Sequence, residues 1–197
     1  MFISHTTRSI FIHIQKTGGD AIETAVRHDD PAIEVDRLGK RRHPFARDVR
    51  AAVAPEVWLG YFRFAFVRNP WERLVSWYCM CMQIQAPNPF AKYVRERAPT
   101  FTDFVTRATT GIGERTTYNQ LDFLVGDNGE TLVEFVGRYE NLAADYATVK
   151  KRLALATDLP HTNRSSHTSY RDYYTGETSA IVGHRYSRDI AHFGYRF

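Results

Sequence analysis

The chain has 197 residues, of which 43% are apolar and 24% charged, with 13 Phe and a formal net charge of +4. This composition excludes bulk disorder and suits one domain with its own core. The mild basicity favours an anionic ligand but falls short of the long basic stripe with interleaved aromatics expected of a nucleic-acid binder.

Residues 9–14 form a short apolar, β-branched run that ends near Gly18-Gly19. Ala21, Ile22, Ala25 and Val26 follow at helical spacing, so this segment reads as strand, tight turn, helix. Residues 61–67 read as a second strand. It leads through Arg68-Asn69 into Pro70, a residue suited to the first turn of a helix, and residues 70–83 carry Trp71, Leu74, Val75, Tyr78 and Met82 at helical spacing. A third unit combines a strand at 132–136, a turn over 137–141 and a helix from 142 to 155. Further helices are expected at 47–53, 88–97, 101–109, capped by Thr100 or Thr102, and 116–124. A last helix at 177–190 precedes an aromatic end, 193–197, expected to dock on the core. Three β-turn-α units predict an α/β protein, a three-layer P-loop-like fold with a central parallel sheet flanked by helices, in a single domain over 1–197. In such sheets ligands sit beyond the carboxyl ends of the strands, where all three turns fall.

Cys79 and Cys81 stand two apart on an expected helix, so they face different ways and are expected as buried free thiols. No Cys/His cluster has zinc-ligand spacing. No run reaches the roughly 18 apolar residues of a membrane span. The first residues lack a basic region followed by a long apolar run, so a soluble cytoplasmic protein is the expectation.

The first turn is Gln15-Lys16-Thr17-Gly18-Gly19-Asp20. Glycines allow close backbone approach to a phosphate, the helix start aims N–H groups at it, and the lysine adds charge. The glycines follow the lysine, the reverse of the nucleotide-triphosphate loop. Taken alone, the segment is equally a plain glycine turn. At the second turn, Arg68 suits bidentate phosphate recognition and Ser76 offers a hydroxyl, although an Arg bound to a carboxylate and a Ser on a helix surface read as well.

Together these segments resemble the sulfotransferases that use 3′-phosphoadenosine-5′-phosphosulfate (PAPS). Residues 11–19, Phe-Ile-His-Ile-Gln-Lys-Thr-Gly-Gly, resemble the family's 5′-phosphosulfate loop, and residues 66–78, Phe-Val-Arg-Asn-Pro-Trp-Glu-Arg-Leu-Val-Ser-Trp-Tyr, its 3′-phosphate segment. Residues 136–142, 159–174 and 189–195 resemble its later segments. The nearest resemblance is to the carbohydrate-type branch, which includes heparan sulfate 2-O-sulfotransferases and similar bacterial enzymes. The resemblance implies PAPS as donor, its 3′,5′-bisphosphate (PAP) as product, and a hydroxyl acceptor, a sugar by analogy with that branch. It implies that Lys16 stabilises the departing bridging oxygen and that Thr17, Gly18 and Gly19, with Gln15 and Asp20 at the loop's ends, cradle the 5′-phosphate. Arg68 and Ser76 would hold the 3′-phosphate, with Arg164 and Ser165 as further contacts and Tyr139 near the adenine. This chain departs from the family where Gln15 replaces the usual Pro and Asp20 the usual Thr or Ser. A carboxylate beside a phosphosulfate repels it.

A histidine is the expected general base. His43, after Lys40-Arg41-Arg42, matches the position where relatives carry the catalytic histidine; the alternative is a loop histidine binding an anion. His13, inside the first strand, reads as a core residue. His161 and His167, in a polar segment, are acceptor contacts or alternative bases. Lys40, Arg41 and Arg42, with Arg37 and Arg47, line the acceptor entrance or form a solvated loop. Tyr170, Tyr173 and Tyr174 stack on a ligand or pack in the core. The scheme requires no metal, since Lys and Arg neutralise the charge. The chain is short for its branch, so the acceptor cleft is either open or completed by another subunit of a homo-oligomer. The competing readings are a P-loop small-molecule kinase, which wants a glycine-first loop and a carboxylate for magnesium, and a non-catalytic nucleotide or polyanion binder of the same fold.

Overall fold

The computed structural model describes residues 1–35, 43–109, 118–160 and 169–197. The chain divides into two compact units, each assembled from two stretches: Met1–Arg68 with Gln120–Asn163, and Asn69–Asn119 with Arg164–Phe197.

The first unit holds a four-stranded sheet of β1 (Phe2–Ser4), β2 (Ser9–Ile12), β3 (Phe62–Val67) and β4 (Phe135–Arg138), in that spatial order. β2, β3 and β4 run parallel, as the strand-turn-helix pattern predicts, and β1 adds an antiparallel edge that the sequence reading did not foresee. The register sets Phe2 beside Phe11, Phe11 beside Phe64 and Phe64 beside Phe135, so one face of the sheet is aromatic. The Phe2–Phe11 and Phe11–Phe64 ring centroids lie 5.3 and 5.0 Å apart. Helix α1 (Gly19–Asp29) adds Ile22, Ala25 and Val26 to this core, and the helix after β4 (Leu142–Leu153) adds Tyr146, Val149 and Leu153. The outer edge of β1 is closed by a two-way backbone pair between Ile3 and Glu34, with both N···O distances at 2.9 Å.

β4 starts later than the predicted strand at 132–136. Leu132 is drawn away by a tight turn over Gly126–Glu130, where its N–H donates to the Leu124 carbonyl at 2.8 Å. Contact with β3 begins at Glu134, whose N–H donates to the Arg63 carbonyl at 2.8 Å, and Phe135 opens the registered pairing opposite Phe64. Helix α2 (Ala46–Ala52) falls where one was expected, while α3 (Pro55–Gly60), opened by a proline, was not anticipated. The predicted helix at 116–124 is represented among the described residues by one 3₁₀ turn, Leu121–Phe123.

The C-terminal end of α1 is pinned by Asp29. Its carboxylate accepts from the Ala156 N–H (2.7 Å), the Thr157 N–H (2.9 Å) and the Thr157 hydroxyl (2.5 Å). The Thr157 bonds, its hydroxyl foremost, lower the Asp29 pKa to about 2. A folded-state value below the unfolded one, about 4, gives stability that is present above pH 4 and lost as pH falls towards 2. Denaturant melts across this window should therefore show a stability loss in the wild type that is smaller in Asp29→Asn; equal slopes would discard the assignment.

The second unit is helical. In α4 (Pro70–Gln83), Pro70 occupies the first turn and Asn69 caps it by accepting from the Trp71 N–H at 3.0 Å. α5 (Pro89–Arg97) is capped in the same way by Asn88. Thr100 is the cap of the next helix and accepts from the Asp103 N–H at 3.1 Å. This helix begins as Phe101–Asp103 and widens into a π-helical stretch, Phe104–Ala108, instead of running as the uniform helix expected at 101–109. The predicted last helix breaks at Tyr186 into Gly176–Arg185 and Ser187–Phe193. The aromatic end does dock within this unit: the Arg196 carbonyl accepts from Asn69 Nδ2 at 2.8 Å, and Phe197 meets the rings of Trp71 and Tyr174. Cys79 and Cys81 are buried free thiols. No helix among the described residues is long and apolar enough to cross a membrane.

Candidate active site

The loop between β2 and α1 opens with two left-handed residues. Lys16 has φ 67° and Gly18 φ 84°. For glycine this geometry is free, whereas a lysine in it costs about 1–2 kcal/mol. Thr17 is buried and its hydroxyl donates to the Ile14 carbonyl at 2.9 Å, which closes the loop on the end of β2. Gly18 is the N-cap of α1 and has no side chain to bond the first-turn N–H groups. That helix start is suited to an anion. Asp20 lies in the first turn of α1 and is exposed.

His13 follows β2 directly and is 3% exposed. Its ring stacks on Phe11, with centroids 5.4 Å apart. The ring also lies against Gly19: a Cβ there would stand 2.9 Å from Cε1 and closer still to Cδ2 and Nε2. Gly19 is thus bare because His13 fills the space beside it. The sequence reading of His13 as a core residue holds for its burial, and misses that this core position lies against the loop.

His43 is 8% exposed and meets His13 edge-to-face at 4.6 Å. Its Nδ1 lies 2.8 Å from the His13 carbonyl oxygen. A carbonyl only accepts, so Nδ1 carries the proton and the neutral ring keeps its basic lone pair on Nε2.

Arg68 directly follows β3 and is 3% exposed. Its guanidinium lies over the Tyr139 ring, 3.8 Å from the centroid, a contact worth about 2 kcal/mol where water is excluded. Nη1 donates to the Lys16 carbonyl at 3.4 Å. The Arg68 backbone is held by Gln120, whose Oε1 accepts from the Arg68 N–H and whose Nε2 donates to the Arg68 carbonyl, each at 2.8 Å. Tyr139 also faces the loop: a Cβ at Gly18 would stand 3.3 Å from its Cδ2. The first unit therefore brings together Lys16, Thr17, Gly18, Gly19, Arg68 and Tyr139, with His43 one ring away through His13. Gln120 was missed, because a single buried amide carries no motif.

Ser76 belongs to the second unit, where it is buried on α4. Gln15 is half-buried at the start of the loop. In the second unit Tyr174 donates to the Trp71 carbonyl at 2.9 Å, and its ring lies 4.8 Å from Phe101; Tyr173 packs on Phe101 as well. Burial raises the Tyr174 pKa above the usual phenol range, in keeping with a packing role. Arg47 lies over the Phe45 ring at 4.6 Å. Arg37, Lys40, Arg41, Arg42, His161, Arg164, Ser165 and His167 lie outside the described residues. Among the described residues no group of three or more His, Cys, Asp and Glu could hold a metal ion.

The sheet, parallel but for β1, carries a lysine-glycine turn and an arginine after two adjacent strands, the layout of an α/β protein. The match to the model of the sulfotransferase family extends over residues 1–196, and the chain belongs to that family. It is also 28% identical over 128 residues to an Archaeoglobus fulgidus protein named only as uncharacterized, a match covering 62% of this chain and 93% of that one. No solved structure matches the chain.

Proposed function

We propose that this sulfotransferase uses PAPS as donor and a hydroxyl, most simply that of a carbohydrate, as acceptor, with His43 as general base. The observation that carries the reading is that the Arg68 guanidinium reaches the backbone carbonyl of Lys16, 52 residues away, at 3.4 Å, so that the two turns adjoin in one unit. A bisphosphate donor needs cations for two separate phosphates, and these are the cations of the two turns. The chain's residues suit such a donor: the start of α1 has no side-chain cap, and the Arg68 guanidinium is held in place.

PAPS supplies the sulfuryl group and a stable phosphate leaving group. Lys16 lends positive charge to the oxygen that departs, and the amides of Gly18 and Gly19 orient the neighbouring phosphate. Arg68 binds the 3′-phosphate as a planar fork. His43 takes the acceptor proton on Nε2, while its Nδ1–H, held by the His13 carbonyl, fixes the ring and spreads the charge it gains.

Binding of PAP, measured by calorimetry against ATP with magnesium, tests the donor. PAP should bind tighter by at least tenfold, roughly the value of one charge-assisted hydrogen bond. A preference for ATP would sink the reading in favour of a kinase.

A further inference from the structure

We infer that Arg68 and Tyr139 brace the lysine-glycine loop, so that Arg68 is a positioning residue for Lys16 in addition to a phosphate contact. The inference rests on the donor reading above and gives its 3′-phosphate residue a second task at the opposite end of the donor. Two separate contacts lead from Arg68 to the loop. One is direct, from Nη1 to the Lys16 carbonyl at 3.4 Å. The other passes through Tyr139, whose ring lies under the guanidinium at 3.8 Å and against Gly18 on the loop. Both reach the loop at its left-handed residues, Lys16 and Gly18. Lys16 needs outside support there, because its own backbone preference lies elsewhere.

The other end of the brace is fixed. Gln120 grips both the N–H and the carbonyl of Arg68, and Arg68 continues β3, which pairs with β2 just before the loop. The guanidinium thus hangs from a rigid strand end and transmits that rigidity to Lys16. A phosphate bound at Arg68 would then act on the loop as well, and the two ends of a bisphosphate donor would be felt together, not independently.

Adenosine 5′-phosphosulfate, which lacks the 3′-phosphate, separates the two tasks. If Arg68 braces the loop, Arg68→Ala should weaken binding of this probe by about tenfold, the value of one hydrogen bond and its stacking support. With saturating PAPS it should also lower kcat, because Lys16 is misplaced. If Arg68 only holds the 3′-phosphate, the variant should weaken PAP and raise the KM for PAPS, leaving the probe's affinity and kcat at wild-type values; that result overturns the brace. Should Arg68→Ala fail to give a cooperative melt, Arg68→Lys is read in the same way. It keeps a cation for the 3′-phosphate but lacks the fork that spans Tyr139 and the Lys16 carbonyl, so loss of probe affinity supports the brace and unchanged affinity overturns it. Tyr139→Ala, which removes the ring under the guanidinium, should weaken binding of the probe as Arg68→Ala does, and unchanged probe affinity would overturn the brace. Wild-type protein that binds neither PAP nor the probe would instead overturn the donor reading.

Discussion

His43→Ala should lower kcat by about 10²–10⁴-fold, the range for loss of a positioned general base, while PAP binds as in the wild type. The geometry sets both halves of this expectation. The His43 ring is oriented by the His13 carbonyl through Nδ1, so the basic nitrogen is Nε2. The loop itself is held by Thr17 on Ile14 and by Arg68 on Lys16, none of which uses His43. Steady-state sulfation of a model sugar acceptor, with calorimetry of PAP alongside, reads the two separately. Full turnover in the variant would move the base elsewhere.

Gly19→Ala should cost about 1–3 kcal/mol of stability, the usual result of forcing a methyl group into filled space. The added Cβ would overlap the imidazole of His13, which stacking on Phe11 and contact with His43 hold in place. At roughly 2–4 °C per kcal/mol for a chain of this size, the melting temperature should drop by several degrees. The displaced ring would also carry the base with it, so kcat should fall further than stability alone explains. The double variant Gly19→Ala/His13→Ala should recover part of the lost stability relative to the sum of the two single changes. Wild-type stability in Gly19→Ala would show that the His13 ring yields, and would end this account of the glycine.

Both expectations depend on contacts that the sequence states only in part. Alternating apolar runs and the Gly and Pro punctuation disclosed β2, β3, α1 and α4, because each is a local pattern with its own turn chemistry. Lys16 and Arg68 stood out for the same reason, each standing where a strand gives way to a helix. β1 was not, since three residues are too few for a period. The onset of β4 was misread because Leu132 looks like a strand residue but bonds back to Leu124 ahead of the turn. Gln120 and the loop-facing side of His13 were invisible for a different cause. Gln120 acts on Arg68, 52 positions away, and the His13 ring meets Gly19 only once the turn has folded, while one residue of either type has no neighbours in sequence that mark it.

The pairing of Ile3 with Glu34 bears on how the chain behaves in a crowded solution. A sheet edge with unsatisfied amides is a template on which a second molecule can add a strand, and from there a fibre can grow. β1 is three residues long, and both backbone groups of its central residue are already taken by Glu34. Glu34 also brings a carboxylate to the rim, where an approaching strand would have to bury it. This flank of the sheet offers little for another molecule to pair with, which favours solubility during expression and concentration.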